Sequence, residues 1–171
     1  MNNLEVAQCN SLFLDPEKDR DVINALTAKL VLILGRFTEN RKAILDKLRE
    51  ELKKYDLVPI IFDIEFPDGH SMIETVSLLA RMLRFVIADL SDAKIVINEI
   101  QEIVPANPSL PVQPIMDSTQ SEPSILRKHH DNPGYLEPIS YEDINDLTAK
   151  QETIVRLLKK RRRNLVNICL D

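Results

Sequence analysis

Apolar residues along this chain follow two rhythms, unbroken short runs and a three-to-four residue spacing, and the two alternate. Leu30-Val31-Leu32-Ile33-Leu34 is an apolar run closed by Gly35, the pattern of a strand covered on both faces. From Thr38 to Lys54, apolar Ile44, Leu45, Leu48 and Leu52 stand among Lys, Arg and Glu, which is helical spacing. Val58-Pro59-Ile60-Ile61-Phe62-Asp63 reads as a second strand, with Pro59 near its start where a missing N–H is tolerated. Ser71 and Glu74 form a capping box for a helix carrying Ile73, Val76, Leu79, Ala80 and Leu83. Phe85 to Asp89 is a third strand and Lys94 to about Val104 a further helix. Val112 to Met116 is a shorter fourth strand, which Pro114 places near an edge. A short helix around Ser124 to His130, a turn at Asn132-Pro133-Gly134 and a fifth strand at Leu136-Glu137-Pro138-Ile139 follow. Asp143 to about Arg162 is a final amphipathic helix.

This alternation predicts an α/β protein with three layers and a five-stranded parallel sheet, joined by right-handed crossovers. The flavodoxin-like order 2-1-3-4-5 is the common solution at this size and puts the switch point between strands one and three. Gly35 to Thr38 and Asp89 to Asp92 would line that crevice.

A chain of 171 residues suits one such domain. The reading divides it into an N-terminal arm at 1–28 with a short helix from about Pro16 to Leu26, an α/β domain at 29–147, and a helix and basic tail at 148–171. Cys9 and Cys169 have neither metal-type spacing nor a disulfide framework, the start lacks a secretory pattern, and no apolar run reaches membrane length. The expected setting is therefore cytoplasmic, without a membrane span. A net charge of −5 argues against a general nucleic-acid binder. Between Lys150 and Arg163, however, stand seven basic residues and one acidic, against 22 and 27 in the whole chain. That run is either an electrostatic footprint or a solvated helix end complementing the dipole.

Several residues at the expected crevice could carry chemistry. Gly35 permits close backbone approach, Arg36 offers a fork for phosphate oxygens, Phe37 a stacking surface, and Thr38 opens a helix with free N–H groups. A structural turn and a core aromatic are the competing readings. No GxGxxG or Walker-type motif is present. Asp63 and Glu65 end the second strand, where acids in nucleotide-binding sheets bond ribose hydroxyls. Asp89 and Ser91 close the third strand. Glu99 falls about 90° from the middle of its helix's apolar stripe, so it either leans into the cleft or decorates a solvated flank. In the cleft, a carboxylate could stabilise or attack a ribosyl cation, as in glycoside cleavage. His70, His129 and His130 lack partners at ligand spacing, and no metal or bound cofactor is expected.

Leu32-Ile33-Leu34-Gly35-Arg36-Phe37-Thr38, and Phe85-Val86-Ile87-Ala88-Asp89-Leu90 with Asn98-Glu99-Ile100, resemble bacterial TIR-like domains (Toll/interleukin-1 receptor type), including ones joined to pentapeptide-repeat regions. These folds stand close to the nucleoside 2-deoxyribosyltransferases. The resemblance implies binding of a nucleotide small molecule and hydrolysis of NAD, releasing nicotinamide, in bacterial immunity or signalling. Glu99 would then be catalytic, with Gly35, Arg36, Phe37, Thr38, Asp63, Asp89 and Ser91 around the substrate. It also implies self-association through TIR-TIR contacts. A non-enzymatic TIR-type assembly module and a deoxyribosyltransferase-like enzyme are the alternatives it leaves open. The absence of Trp and of a Cys near Glu99 departs from the pattern of many TIR enzymes.

Overall fold

The computed structural model describes residues 28–36, 38–63, 82–91 and 94–168. Its strands are β1 (Leu30–Gly35), β2 (Val58–Asp63), β3 (Phe85–Asp89), β4 (Val112–Asp117) and β5 (Ile139–Tyr141). The helices are α1 (Glu39–Lys53), α2 (Lys94–Ala106) and α3 (Ile144–Ile168), with a 3₁₀ helix at Ser124–His129. The five strands form one all-parallel sheet in the order β2-β1-β3-β4-β5. This is the three-layer α/β architecture and the strand order expected from the apolar runs.

The pleat sorts each strand between two cores. Val31 and Ile33 of β1, Phe85 and Ile87 of β3, Ile115 and Tyr141 turn to the face covered by Leu45, Leu48 and Leu52 of α1 and Ile154, Val155 and Leu158 of α3. Leu32, Leu34, Val86, Ala88, Val112 and Met116 turn to the other face, under Val96, Ile100, Ile103 and Val104 of α2 and Leu126 of the 3₁₀ helix. β3 is buried throughout, which is why its sequence shows no alternation.

Helix α1 combines that apolar stripe with ion pairs three and four residues apart, among them Lys47–Glu51 at 2.8 Å and Lys53–Glu50 at 2.8 Å. The turn after α1 passes through Asp56 at φ 59°, a left-handed conformation that Asp adopts more readily than most residues. The Asp56 carboxylate also meets Lys29 at 2.7 Å, tying this turn to the start of β1.

Two sequence expectations shift. Pro114 does not mark an edge: β4 lies between β3 and β5, and Pro114 is buried. The structure tolerates it because β5 is shorter and later than expected, pairing only with Ile115, Met116 and Asp117. Upstream, Leu136 N–H donates to the Val112 carbonyl at 2.9 Å, and Val112 N–H to the Gly134 carbonyl at 2.8 Å. Between these two pairings the buried Gln113 side chain bridges the gap. Its amide Nε2 donates to the carbonyls of Glu137 at 2.8 Å and Pro114 at 2.9 Å. The helix expected from Pro16 to Leu26, the capping box at Ser71 and Glu74, Phe37 and both cysteines lie outside the described residues.

Among the described residues no helix is long and apolar enough to cross a membrane. None of them form a cluster of three or more His, Cys, Asp or Glu side chains able to hold a metal ion.

Candidate functional site

The carboxyl ends of β1, β3, β4 and β5 meet the first turn of α1, and there the structure assembles a buried polar network. Asp89, 1% exposed, is its centre. Its Oδ2 accepts from Arg41 Nε at 3.1 Å and from Arg41 Nη2 at 2.6 Å. Its Oδ1 accepts from the Ser91 backbone N–H at 3.1 Å and, more weakly, from the Tyr141 hydroxyl at 3.4 Å. Arg41 Nη2 also donates to the Tyr141 hydroxyl, and its guanidinium carbon stands 5.6 Å from the Tyr141 ring centroid. The Ser91 hydroxyl accepts the Asp117 backbone N–H at 2.8 Å. Arg41, Ser91 and Tyr141 are all buried.

At the rim, Asp117 accepts from the backbone N–H and hydroxyl of Thr119 at 2.9 Å and 2.7 Å. These bonds, helped by Arg41 with Nη1 at 4.0 Å, hold its carboxyl below the usual range, so it stays ionised. Asp89 thus carries four donors. Three of these bonds are at 3.1 Å or shorter, and every partner is buried. The arrangement locks three strand ends and a helix to one another.

Of the sequence-predicted site residues, Gly35, Asp63 and Asp89 end the adjacent strands β1, β2 and β3. Asp89 and Ser91 come together, as structural members of this network. Gly35 ends β1 against α1, where an added Cβ would stand 2.9 Å from Leu45 Cδ1, so its small size serves strand–helix packing. Thr38 occupies the N-cap position of α1 without a side-chain cap bond, its carbonyl accepting from Arg41 and Lys42 N–H at 2.9 Å each. Arg36 is half-buried between these two. Asp63 lies opposite Gly35 in the sheet register. The Asp63 side chain, like Phe37 as a whole, is outside the described residues.

Glu99 is not solvated decoration. It is 6% exposed, and its Oε2 has no hydrogen-bond partner among the described residues. On α2, Gln101 accepts from Lys128 of the 3₁₀ helix at 3.4 Å. At about 100° per residue, Glu99 therefore lies on the flank turned away from the 3₁₀ helix. Burial, with the charge of Glu102 behind it, pushes its carboxyl up.

Arg41, Tyr141 and Asp117 were not singled out by sequence reasoning. One signal existed: Arg41 is a cation in the first turn of a helix, where the dipole disfavours positive charge unless an anion faces it. Nothing in the spacing announced that Asp89 supplies that anion from 48 positions away.

A second polar feature occupies the other end of the molecule. α3 runs back along the sheet, so its basic end reaches the edge where the strands begin. There Arg162 Nη1 donates to the Ser109 carbonyl at 3.2 Å, and burial together with the nearby charge of Arg84 pushes Arg162 down. Leu136, Leu157, Lys160, Arg161 and Asn164 line a pocket of about 260 Å³.

No protein-family model matches the sequence, and no curated protein does either. Solved structures do match in fold. A Francisella novicida lysine decarboxylase, LdcF, superposes with a TM-score of 0.58 and 17% identity over 79% of this chain and 18% of that one. The Escherichia coli constitutive lysine decarboxylase gives 0.54 and 10% over 81% and 18%. The chain thus spans less than one fifth of the length of the enzymes it resembles, and identity this low establishes the fold alone. These findings overturn the TIR-like resemblance and, with it, the implied NAD hydrolysis, the TIR-type module and the deoxyribosyltransferase reading. The buried strand ending in Ala88-Asp89-Leu90, one of the motifs behind them, meets a requirement of the parallel sheet itself, since β3 pairs on both sides. What the chain shares with known structures is the α/β fold of one segment of lysine decarboxylases.

Proposed function

We propose that this chain is an accessory α/β module, built like a segment of a lysine decarboxylase, which works through protein contacts and self-association. The observation that carries this reading is the saturation of Asp89. The acid at the switch point is spent on Arg41, Ser91 and Tyr141, and all four residues are buried. A catalytic or ligand-binding carboxylate there would keep an open approach and a free lone pair. The two decarboxylases described above are enzymes named for acting on lysine, yet more than four fifths of each has no counterpart in this chain. Support for a role in assembly comes from the segregation of charge, with a cation-rich end on α3 and excess acid elsewhere.

The test has two arms. Purified chain incubated with lysine should release no carbon dioxide above the buffer rate. In sedimentation velocity at low salt it should show species heavier than the monomer. Lysine decarboxylation that Asp89→Asn abolishes would refute the reading, as would a strictly monomeric chain at every concentration and salt.

A further inference from the structure

The final turns of α3 carry an unusual concentration of unspent charge. Among the described residues, Arg156, Lys159, Lys160, Arg161 and Arg163 make no ion pair, whereas Lys150, earlier on the same helix, is held by Asp146 at 2.7 Å. Arg156, Lys160 and Arg163 follow at i, i+4 and i+7 on the outward face, so these three cations form one stripe, with Arg161 on its flank. Beside the stripe lies the pocket whose walls are Leu136 and Leu157, with Lys160, Arg161 and Asn164 around them. Leu157 is 37% exposed, a large apolar side chain left partly open amid like charges. Crowded cations repel one another, and a helix dipole repays only those in the last turn.

The chemistry of this surface selects among occupants. Single-stranded nucleic acid needs aromatic stacking platforms, and no aromatic residue lies between Glu142 and Asp171. A membrane needs an exposed apolar helix face, but Ile154, Val155, Leu158 and Leu165 of α3 are buried within the protein. An acidic protein segment with one apolar side chain satisfies both stripe and pocket. Such a segment exists at the other end of this same helix. Glu142 and Asp143 are exposed, Ile144 is half-buried, and Glu142 makes no ion pair among the described residues. The 25 residues of α3 separate the two ends by roughly 37 Å at about 1.5 Å per residue, beyond reach within one molecule.

We infer that the Leu136–Leu157–Lys160–Arg161–Asn164 pocket receives the Glu142–Asp143–Ile144 segment of a second copy of this chain, joining copies head to tail. This rests on the assembly reading above and names its surface. Such a contact uses two different patches, so it propagates into a ring or an open fibre. Electrostatic complementarity sets its register and makes it salt-sensitive.

Sedimentation velocity on the full chain tests it. Wild type should be heavier than the monomer at about 20 mM salt and fall to the monomer at about 500 mM, where the screening length shrinks severalfold. Lys160→Glu/Arg161→Glu should weaken association by about 100-fold or more, because like charges then face each other. Glu142→Lys should weaken it as well. Mixing the two variants should restore a heavier species, because each retains the patch the other has lost. Circular dichroism melts of both variants verify that they remain folded. Association that persists in both variants would overturn this surface while leaving self-assembly standing. A monomeric wild type would overturn both. Binding of a 20-base-pair DNA duplex near physiological salt by a monomeric wild type, lost in Lys160→Glu/Arg161→Glu, would assign the stripe to nucleic acid instead.

Discussion

Replacing Arg41 by methionine leaves Asp89 as a buried charge with its strongest partner gone. The site gives the carboxylate little recourse to water, since Asp89 is 1% exposed and is surrounded by Tyr141, Ser91 and the strand ends. Two of its four hydrogen bonds, including the shortest at 2.6 Å, disappear, and those left come from a backbone N–H at 3.1 Å and a hydroxyl at 3.4 Å. Removing one partner of a buried ion pair costs about 3–5 kcal/mol, because the remaining charge stays desolvated. For a chain of this length that corresponds to a melting temperature lower by roughly 10 °C. Asp89→Asn should cost less than Arg41→Met. The amide oxygen still accepts from Ser91 and Tyr141, while Arg41 keeps a contact with Asp117, whose Oδ2 stands 4.0 Å from Nη1. In the double variant Arg41→Met/Asp89→Asn no charge is stranded, so stability should return to within about 1–2 kcal/mol of wild type. Urea unfolding of the four proteins closes this double-mutant cycle. A loss below about 1 kcal/mol for Arg41→Met, or additive losses in the double variant, would refute the picture of Asp89 as a charge neutralised by Arg41.

Two further predictions concern pH. Glu99 has its folded pKa raised by burial, so its contribution favours the folded state fully below about its ordinary 4.5 and is lost as pH climbs through the raised value. Glu99→Gln should therefore match wild type near pH 4 and exceed it in thermal stability at pH 8; a constant gap between the two melting curves across that range would argue against the buried carboxyl. His130 is raised in the opposite charge sense, chiefly by its hydrogen bond to Glu122 at 2.9 Å and secondarily by Glu137. Its stabilisation is present below about 6.5 and lost as pH rises through the folded value. His130→Gln should thus narrow the stability difference between pH 5.5 and pH 8.5 measured by urea unfolding, and an unchanged difference would count against the ion pair.

The surroundings of these groups show what local pattern could convey. Five apolar runs separated by helical spacing were enough to specify a parallel sheet, and the common order for that size proved correct. Strand burial was readable because Leu32, Ile33, Val86 and Ile87 must exclude water whatever their neighbours. The fifth strand was placed too early because Leu136 and Ile139 look alike in hydropathy, while only the register with Ile115 to Asp117 distinguishes them. Pro114 suggests an edge on sound local grounds, yet it sits inside the sheet because β5 pairs with β4 only from Ile115 onward.

The chain's own order of residues determined its elements, their layering and the charge bias of its last helix, since hydrophobic period and formal charge are local properties. Tertiary structure alone decided the meaning of the polar residues. That Arg41, 48 positions earlier, and Tyr141, 52 positions later, reach Asp89 is visible only in the fold. Glu99 could equally have faced water until its flank was found buried. A carboxylate's role depends on which donors reach it and how much water remains, and both are set by residues distant in sequence.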